Sequence, residues 1–311
     1  MQLSHKFYPI SFSWVAFHPK PKGIILFIGG AFFGSFPTVS YEYLLKQLFF
    51  SGYTVIVLPF RFTFSHWSVA LSLLEEERVV RQRIVSILKK SGFSDEDYEI
   101  YLNNKNYIWL GHSLGCKYIA LLELLADWQS EPDKTRGLIK SCTRESDEYI
   151  NGIMQRIRDI KISFKDQRSI IVAPDISSTN DAIPIPFLPQ ILDGIGLGVN
   201  PTQKETFDLI KASSLFNLTA MISFSEDHQS GSIKDTITSE KTTPWLLENL
   251  KPKLLYKEIK GQHLRPLGCQ LNGTVIGPLA DPPIDLVPTI LDFINQLEQR
   301  TLSFHESRFS C

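Results

Sequence analysis

The pentapeptide at residues 111–115, Gly-His-Ser-Leu-Gly, contains the serine with the strongest chemical signature in the chain. Glycines on both sides of Ser113 favour a sharp turn, because neighbouring backbone can approach them without meeting a Cβ atom. A turn of this kind between a strand and a helix raises the hydroxyl above a sheet, where the helix dipole favours negative charge. An apolar strand is predicted at 107–110 and an apolar helix at 113–128, so the context fits. The pattern therefore predicts that Ser113 is a nucleophile.

A serine nucleophile needs a general base, which follows late in the chain in proteins built around this turn. The chain has seven histidines. His263 fits best, since it follows the last predicted strand and Gly261 eases the turn before it. His112 belongs to the pentapeptide itself, and we expect its side chain to point away from the site. His263 is therefore the predicted base.

The acid that orients the base should end a strand between the serine and the histidine. Asp227 does so, after the apolar strand at 218–224. Its neighbour Glu226 would take its place if the strand register were one residue different. Asp175, at the end of the preceding strand, is the other alternative. The sequence favours Asp227 and leaves both alternatives open.

Acyl transfer also needs two backbone N–H groups that stabilise the oxyanion. One should belong to Leu114, directly after the nucleophile. The other should come from the loop that follows an early strand and begins Gly29-Gly30, where we favour Ala31 or Phe32.

Aromatic side chains crowd the loops on the same predicted side of the sheet. Loops at the carboxyl ends of strands are where ligands bind in such sheets, so these rings could line a pocket for an apolar acyl group. The simpler interpretation is that they pack a cap onto the core. The residues concerned are Phe32, Phe33, Phe36, Phe60, Phe62, Phe64 and Trp67.

Strands and helices are predicted to alternate along the chain, which is typical of an α/β fold with a mostly parallel sheet and helices on both faces. We predict one domain over 1–311, with a charged helical insertion at 129–168 and a cap or lid at 174–211. The predicted strands are 11–17, 24–28, 53–58, 107–110, 169–173, 218–224 and 254–259. The predicted helices are 41–51, 69–88, 113–128, 147–160, 203–211, 245–250 and 286–297.

Composition excludes several classes of protein. The 32 basic and 33 acidic side chains give a net charge of −1, which argues against nucleic-acid binding. Four scattered cysteines are too few for a disulfide framework. No apolar run approaches the roughly 18 residues of a membrane span, and the N-terminus lacks the features of a secretory signal.

The acidic run at 75–77 is predicted to be a solvated helix face, and the Gly-x-Gly-x-Gly at 194–198 a hinge of the cap.

Five segments together resemble the α/β-hydrolase superfamily, and more closely the domain of unknown function 1350 family of cyanobacteria and chloroplasts. They are 29–45, 111–122, 200–210, 222–229 and 261–268. The resemblance implies an α/β-hydrolase fold with Ser113 as nucleophile, His263 as base and Asp227 as acid. It also implies a location in the cytoplasm or, for a plastid protein, in the stroma. It does not supply a substrate.

The leading hypothesis is a serine hydrolase that acts on a small-molecule ester or thioester, with a lipid-like acyl group as one option. It would require no metal or organic cofactor. Transfer of the acyl group to an alcohol other than water, or a lyase reaction with the same triad, are variants of it. The alternative is a non-catalytic scaffold that binds a hydrophobic ligand or a partner protein, because one fold hosts many functions.

Overall fold

The computed structural model describes residues 5–91, 94–126, 128, 130–160, 167–176, 199–212, 218–236, 241–272, 275–279 and 282–309. Most of the predicted cap, residues 177–198, lies outside these residues, and so does the glycine pattern at 194–198. Within the described helices, none combines the length and apolar character that crossing a bilayer requires.

A single large sheet organises the described residues. Its eight strands lie in the order β1-β2-β4-β3-β5-β6-β7-β8. Strands β3 to β8 pair in parallel, whereas β1 and β2 are antiparallel to their neighbours. The strands are β1 Tyr8–Ile10, β2 Ser13–Ala16, β3 Gly23–Ile28, β4 Tyr53–Val57, β5 Tyr107–His112, β6 Arg168–Val172, β7 Thr219–Phe224 and β8 Leu255–Ile259, with a separate hairpin of β9 Cys269–Asn272 and β10 Val275–Pro278.

Helices cover both faces of the sheet. They are α1 Pro37–Ser40, α2 Glu42–Phe50, α3 His66–Lys90, α4 Asp95–Leu102, α5 Leu114–Leu124, α6 Pro132–Cys142, α7 Asp147–Ile160, α8 Gln203–Ala212, α9 Thr242–Leu250 and α10 Leu286–Phe309. Alternate side chains of β3 face opposite ways, as strand geometry requires. Ile24 and Leu26 join a core with α3 and α5, and Ile25 and Phe27 join a second core with α2 and α10. The predicted α/β-hydrolase fold is confirmed.

The first edge of the sheet differs from the prediction of one strand over 11–17. The chain makes a hairpin there, in which β1 pairs with β2. Ser11 turns the chain with a φ of +59°, a conformation that favours glycine. The sequence has no glycine at this turn, so the pattern did not indicate a hairpin. Helices α4 and α6 and the hairpin of β9 and β10 were not predicted either.

The acidic run at 75–77 is not a solvated face, and that prediction was wrong. Glu77 is fully buried and paired with Arg81 one turn later. The Glu76 carboxylate accepts hydrogen bonds from the Ser11 and Ser13 hydroxyls, and Glu75 pairs with Arg156. Glu75 and Glu76 therefore connect α3 to other parts of the fold, whereas Glu77 is paired within α3 itself.

The charged stretch at 129–168 contributes apolar side chains to the core on the α3 side of the sheet. Helix α6 supplies Ile139, and α7 supplies Ile150, Ile153 and Ile157, all of them buried. The apolar residues of α7 recur every three to four positions, which places them on one face of the helix. Its charged residues face solvent, which explains why the stretch looks polar in sequence.

Candidate active site

Ser113 occupies a strained turn between β5 and α5. Its φ of 54° and ψ of −124° are costly for a residue with a side chain. A Cβ atom on Gly115 would lie 2.4 Å from the carbonyl oxygen of Ile28, and one on Gly111 would lie 2.7 Å from Ile119. Gly115 is therefore required because α5 begins against the end of β3 with no room for a side chain, and Gly111 because the first turns of α5 pack directly on it.

The hydroxyl of Ser113 contacts an imidazole that comes from the other end of the chain. Ser113 Oγ lies 2.9 Å from His263 Nε2. His263 lies in the loop after β8, which turns at Gly261 with a φ of +144°. An ion pair of 2.6 Å between Arg265 and Asp285 holds the same loop. Ser113 and His263 are both mostly buried, with 6% and 8% of their surface exposed.

A buried carboxylate completes the chain of hydrogen bonds. Asp227 Oδ2 lies 2.9 Å from His263 Nδ1, and its other oxygen accepts the backbone N–H groups of Gln229 and Ser230 at 2.9 and 3.0 Å. Because a carboxylate can only accept, Nδ1 carries the proton. In the neutral imidazole this leaves Nε2 with a lone pair that faces the serine hydroxyl.

Asp227 and His263 shift each other's pKa values. Burial works against a charged His263, but the charge and hydrogen bond of Asp227 outweigh it and raise the pKa of the imidazole above its ordinary value. Burial likewise works against a charged Asp227. The His263 charge and the backbone N–H groups prevail and lower the pKa of the carboxyl. The pair favours an imidazolium beside a carboxylate, the charge state that a general base adopts after taking a proton.

The two alternative acids make other described hydrogen bonds. Glu226 is exposed, and its backbone N–H donates to the Gly261 carbonyl. Asp175 is buried, and its carboxylate accepts a hydrogen bond from Gln229 Nε2. Among the described hydrogen bonds, the one that His263 Nδ1 donates to a carboxylate goes to Asp227. The structure thus brings Ser113, His263 and Asp227 together.

The two segments that carry the predicted oxyanion donors approach Ser113. Leu114 is the first residue of α5, so its N–H has no acceptor within the helix. Across from it runs the loop after β3, where Gly30 approaches so closely that a Cβ atom there would lie 3.1 Å from Ser113 Cβ. The Gly30 N–H already donates to Tyr41 Oη at 2.7 Å. Ala31 and Phe32 follow it and remain the predicted second donors.

His112 does not point away from the site, and that prediction was wrong. Its ring lies 5.2 Å from the His263 ring between centroids. His112 Nε2 is 2.9 Å from the backbone carbonyl of His263, and Nδ1 is 2.8 Å from Tyr41 Oη. Sequence reasoning missed Tyr41 altogether, because nothing in its local pattern distinguishes it from a core tyrosine.

The predicted pocket aromatics separate into different environments. Phe36 and Phe60 line a cavity of about 900 Å³ between α3 and the turn of the β1–β2 hairpin. Phe36 is 72% exposed, and Phe33 is half-buried against the second core. Trp67 has no exposed surface and lies in the core with α3, so it packs the fold rather than lining that cavity.

Comparisons with known proteins agree with this architecture. Residues 6–133, about two fifths of the chain, match the family model described as protein of unknown function (DUF1350). This match confirms the resemblance predicted from the motifs, over that part of the chain. The comparison with curated proteins found no match.

Solved structures with a similar fold come from several bacteria. A sugar hydrolase from Lactococcus lactis is 14% identical, with 96% of this chain and 99% of that chain covered and a TM-score of 0.52. A carboxylesterase from Lactobacillus plantarum is 11% identical, with 88% of both chains covered and a TM-score of 0.49. An esterase from Thermogutta terrifontis is 12% identical, with 97% and 94% covered and a TM-score of 0.46. At such identities the likeness concerns the fold, so the chemistry must be argued from the site.

Proposed function

We propose that the protein is a serine hydrolase that acts on an ester or thioester through Ser113, His263 and Asp227. The observation that carries the proposal is the continuous chain from the serine hydroxyl through the imidazole to the buried carboxylate, with both contacts at 2.9 Å. It starts at a serine held in a strained turn beside the first N–H of a helix. Strain of this kind is found where function requires it.

The geometry supports a two-step reaction. Ser113 Oγ attacks the substrate carbonyl while its proton passes to His263 Nε2, and Asp227 stabilises the imidazolium. The oxyanion accepts hydrogen bonds from Leu114 N–H and from Ala31 or Phe32 N–H. The intermediate collapses as His263 returns the proton to the leaving alcohol or thiol. Water, deprotonated by His263, then releases the acid and restores the serine.

A fluorophosphonate probe and a p-nitrophenyl ester test the proposal. We expect the intact protein to be labelled and to hydrolyse the ester, and Ser113→Ala to lose both while it stays folded. Ser141→Ala, which changes an exposed serine on α6, should behave like the parent. A folded protein that is neither labelled nor active would instead support the non-catalytic scaffold.

We further propose that the acyl group is lipid-like. Part of the lining of the cavity of about 900 Å³ is apolar, with Phe12, Phe36, Phe60 and Leu73 among its residues, and charged side chains that include Arg61, Glu76 and Arg83 complete it. It lies near the predicted oxyanion loop along the chain, since Ser35 and Phe36 in its lining follow that loop and the Phe60 N–H donates to the Gly34 carbonyl at 3.2 Å. With acetyl and octanoyl esters, Phe36→Ala should raise KM for the longer chain only. An equal effect on both esters would contradict this assignment.

We also propose that residues 174–211 form a cap over the site. One end of the segment is anchored near the aromatic loops: the Asn200 N–H donates to the Phe64 carbonyl at 2.7 Å, and the Asn200 carbonyl accepts the His66 N–H at 2.8 Å. Limited proteolysis with and without a bound phosphonate tests the cap. Protection of 174–211 by the phosphonate is expected, and unchanged cleavage would contradict it.

A further inference from the structure

Four residues near Ser113 are joined by buried hydrogen bonds that the proposed reaction does not use. The Gly30 N–H lies 2.7 Å from Tyr41 Oη, and Tyr41 Oη lies 2.8 Å from His112 Nδ1. His112 Nε2 lies 2.9 Å from the carbonyl oxygen of His263. Tyr41 and His112 are at most 1% exposed. Buried polar groups are satisfied by such bonds because leaving them unpaired is costly.

The direction of each hydrogen bond follows from the chemistry of its atoms. A carbonyl only accepts, so His112 Nε2 must carry a proton that it donates to His263. Burial lowers the pKa of His112 to about 3, so the ring is neutral near pH 7 and Nδ1 is a lone pair. Tyr41 therefore donates its hydroxyl proton to Nδ1, while its oxygen accepts the Gly30 N–H. One arrangement of protons satisfies every group.

These hydrogen bonds connect three segments whose relative positions the proposed reaction depends on. Gly30 begins the predicted oxyanion loop, His112 immediately precedes the nucleophile, and His263 is the predicted base. Tyr41, beside α2, bridges the first two. The junction is tight: a Cβ atom on Gly30 would lie 3.3 Å from Tyr41 Oη and 3.4 Å from His112 Nδ1. Displacing the hydroxyl would release Gly30, and displacing His112 would release the backbone of His263.

We propose that Tyr41 and His112 are positioning residues that fix the oxyanion loop and the backbone of the base relative to Ser113, without contacting the substrate. The inference rests on the proposed hydrolase function. It assigns His112 a role that its place beside the nucleophile does not imply, since a neutral ring that is bonded at both nitrogens cannot act as a second base. Misplacement of reacting groups by about 1 Å can cost on the order of a hundredfold in rate.

Kinetics of three single variants and one double variant test the assignment. Tyr41→Phe removes only the hydroxyl, and His112→Leu removes both ring nitrogens. Each should lower kcat about ten- to hundredfold with KM within about twofold, because positioning affects the transition state more than substrate binding. His112→Gln should recover most of the loss, since its amide can donate to His263 and accept from Tyr41. The double variant of Tyr41→Phe and His112→Leu should lose much less than the product of the single losses.

Tyr107→Phe is the matched control for loss of a buried hydroxyl. Tyr107 is also fully buried, and its hydroxyl donates to the Tyr101 carbonyl at 2.9 Å, at the other end of β5. It should lose stability but keep its kcat. If Tyr107→Phe lowers kcat as much as Tyr41→Phe does, or if both Tyr41→Phe and His112→Leu match the parent, the assignment is wrong.

Nitrogen-15 NMR of the histidine side chains gives a measurement that does not depend on activity. The His112 resonance, identified by its loss in His112→Gln, should show a neutral ring protonated at Nε2 from pH 5 to 8. In Tyr41→Phe the Nδ1 shift should move as its donor is lost. A His112 ring that is protonated at Nδ1, or that titrates in this range, would overturn the inference. If the parent shows no turnover or labelling while the NMR result holds, the proposed function fails and the network stands.

Discussion

The two imidazoles beside Ser113 lie 5.2 Å apart between ring centroids, yet their environments shift their pKa values in opposite directions. Both are buried, and burial alone lowers the pKa of each. His263 faces the Asp227 carboxylate, whose charge raises its pKa above the ordinary value. His112 faces a tyrosine hydroxyl and a carbonyl, and its pKa falls to about 3.

The difference explains why His263, rather than His112, is the proposed base. Burial disfavours charge on both rings, so only the ring with a paired carboxylate can accept a proton near neutral pH. The neutral ring has a further consequence, because a second positive charge at that distance would oppose protonation of His263. The charged pair is suited to proton transfer and the neutral network to holding geometry.

Removal of the Asp227 charge, which raises the pKa of His263 above its ordinary value but does not do so for His112, should have the largest effect on activity. Asp227→Asn keeps the shape but removes the carboxylate, and we expect kcat/KM to fall about 10³- to 10⁴-fold, as in other triads. Steady-state hydrolysis of a p-nitrophenyl ester measures it.

Asp175→Asn is the matched control, since Asp175 is also buried but bonds to Gln229. It should stay within about tenfold of the parent, because its charge makes a smaller contribution to the His263 pKa. If Asp175→Asn proved the more damaging substitution, the acid would have to be reassigned.

The pH dependence of kcat/KM should reflect the titration of only one of the two histidines, His263. The proposed reaction needs neutral His263, whose pKa is raised, so activity should fall as the pH drops through a single midpoint above 6.5. Below the midpoint the rate should lose about tenfold per pH unit. His112 should add no second step above pH 5, given its pKa of about 3. A slope of two on the acid side would show that both rings titrate.

The close contact that lets α5 begin beside β3 should be sensitive to a single methyl group. Gly115→Ala would place a Cβ atom 2.4 Å from the Ile28 carbonyl oxygen, and forcing atoms into such a space costs about 1–3 kcal/mol. Urea unfolding measures the change in the free energy of unfolding. Gly137→Ala on α6, where a Cβ atom would meet no described atom within 4 Å beyond its own helix backbone, should be neutral or stabilising by about 0.5–1 kcal/mol. Equal effects would contradict the packing argument.

The sequence indicated the parts of this site that depend on local pattern and chain order. The strand before Ser113, the glycines around it and the late positions of Asp227 and His263 all follow from continuous apolar strands and turns. The Tyr41–His112 bond joins residues 71 positions apart, and no local signal marks it. Glu77 was mistaken for a solvated residue because its pairing with Arg81 one turn later looks the same on a surface helix as in a core.

A substitution at Ser230 should have the smallest and most specific effect on the pair of Asp227 and His263. Its hydroxyl donates to the Ala173 carbonyl at 3.0 Å. The Ser230 oxygen can therefore accept a second, weaker hydrogen bond from His263 Nδ1, at 3.1 Å. Ser230→Ala removes this second acceptor but keeps the backbone N–H that bonds to Asp227. A hydrogen bond of this kind contributes about 1 kcal/mol, so kcat/KM should fall roughly fivefold, measured with the same ester. Because Asp227 retains its contacts, the acid midpoint should shift little, and a loss as large as that of Asp227→Asn would show that the hydroxyl, rather than the carboxylate, orients the base.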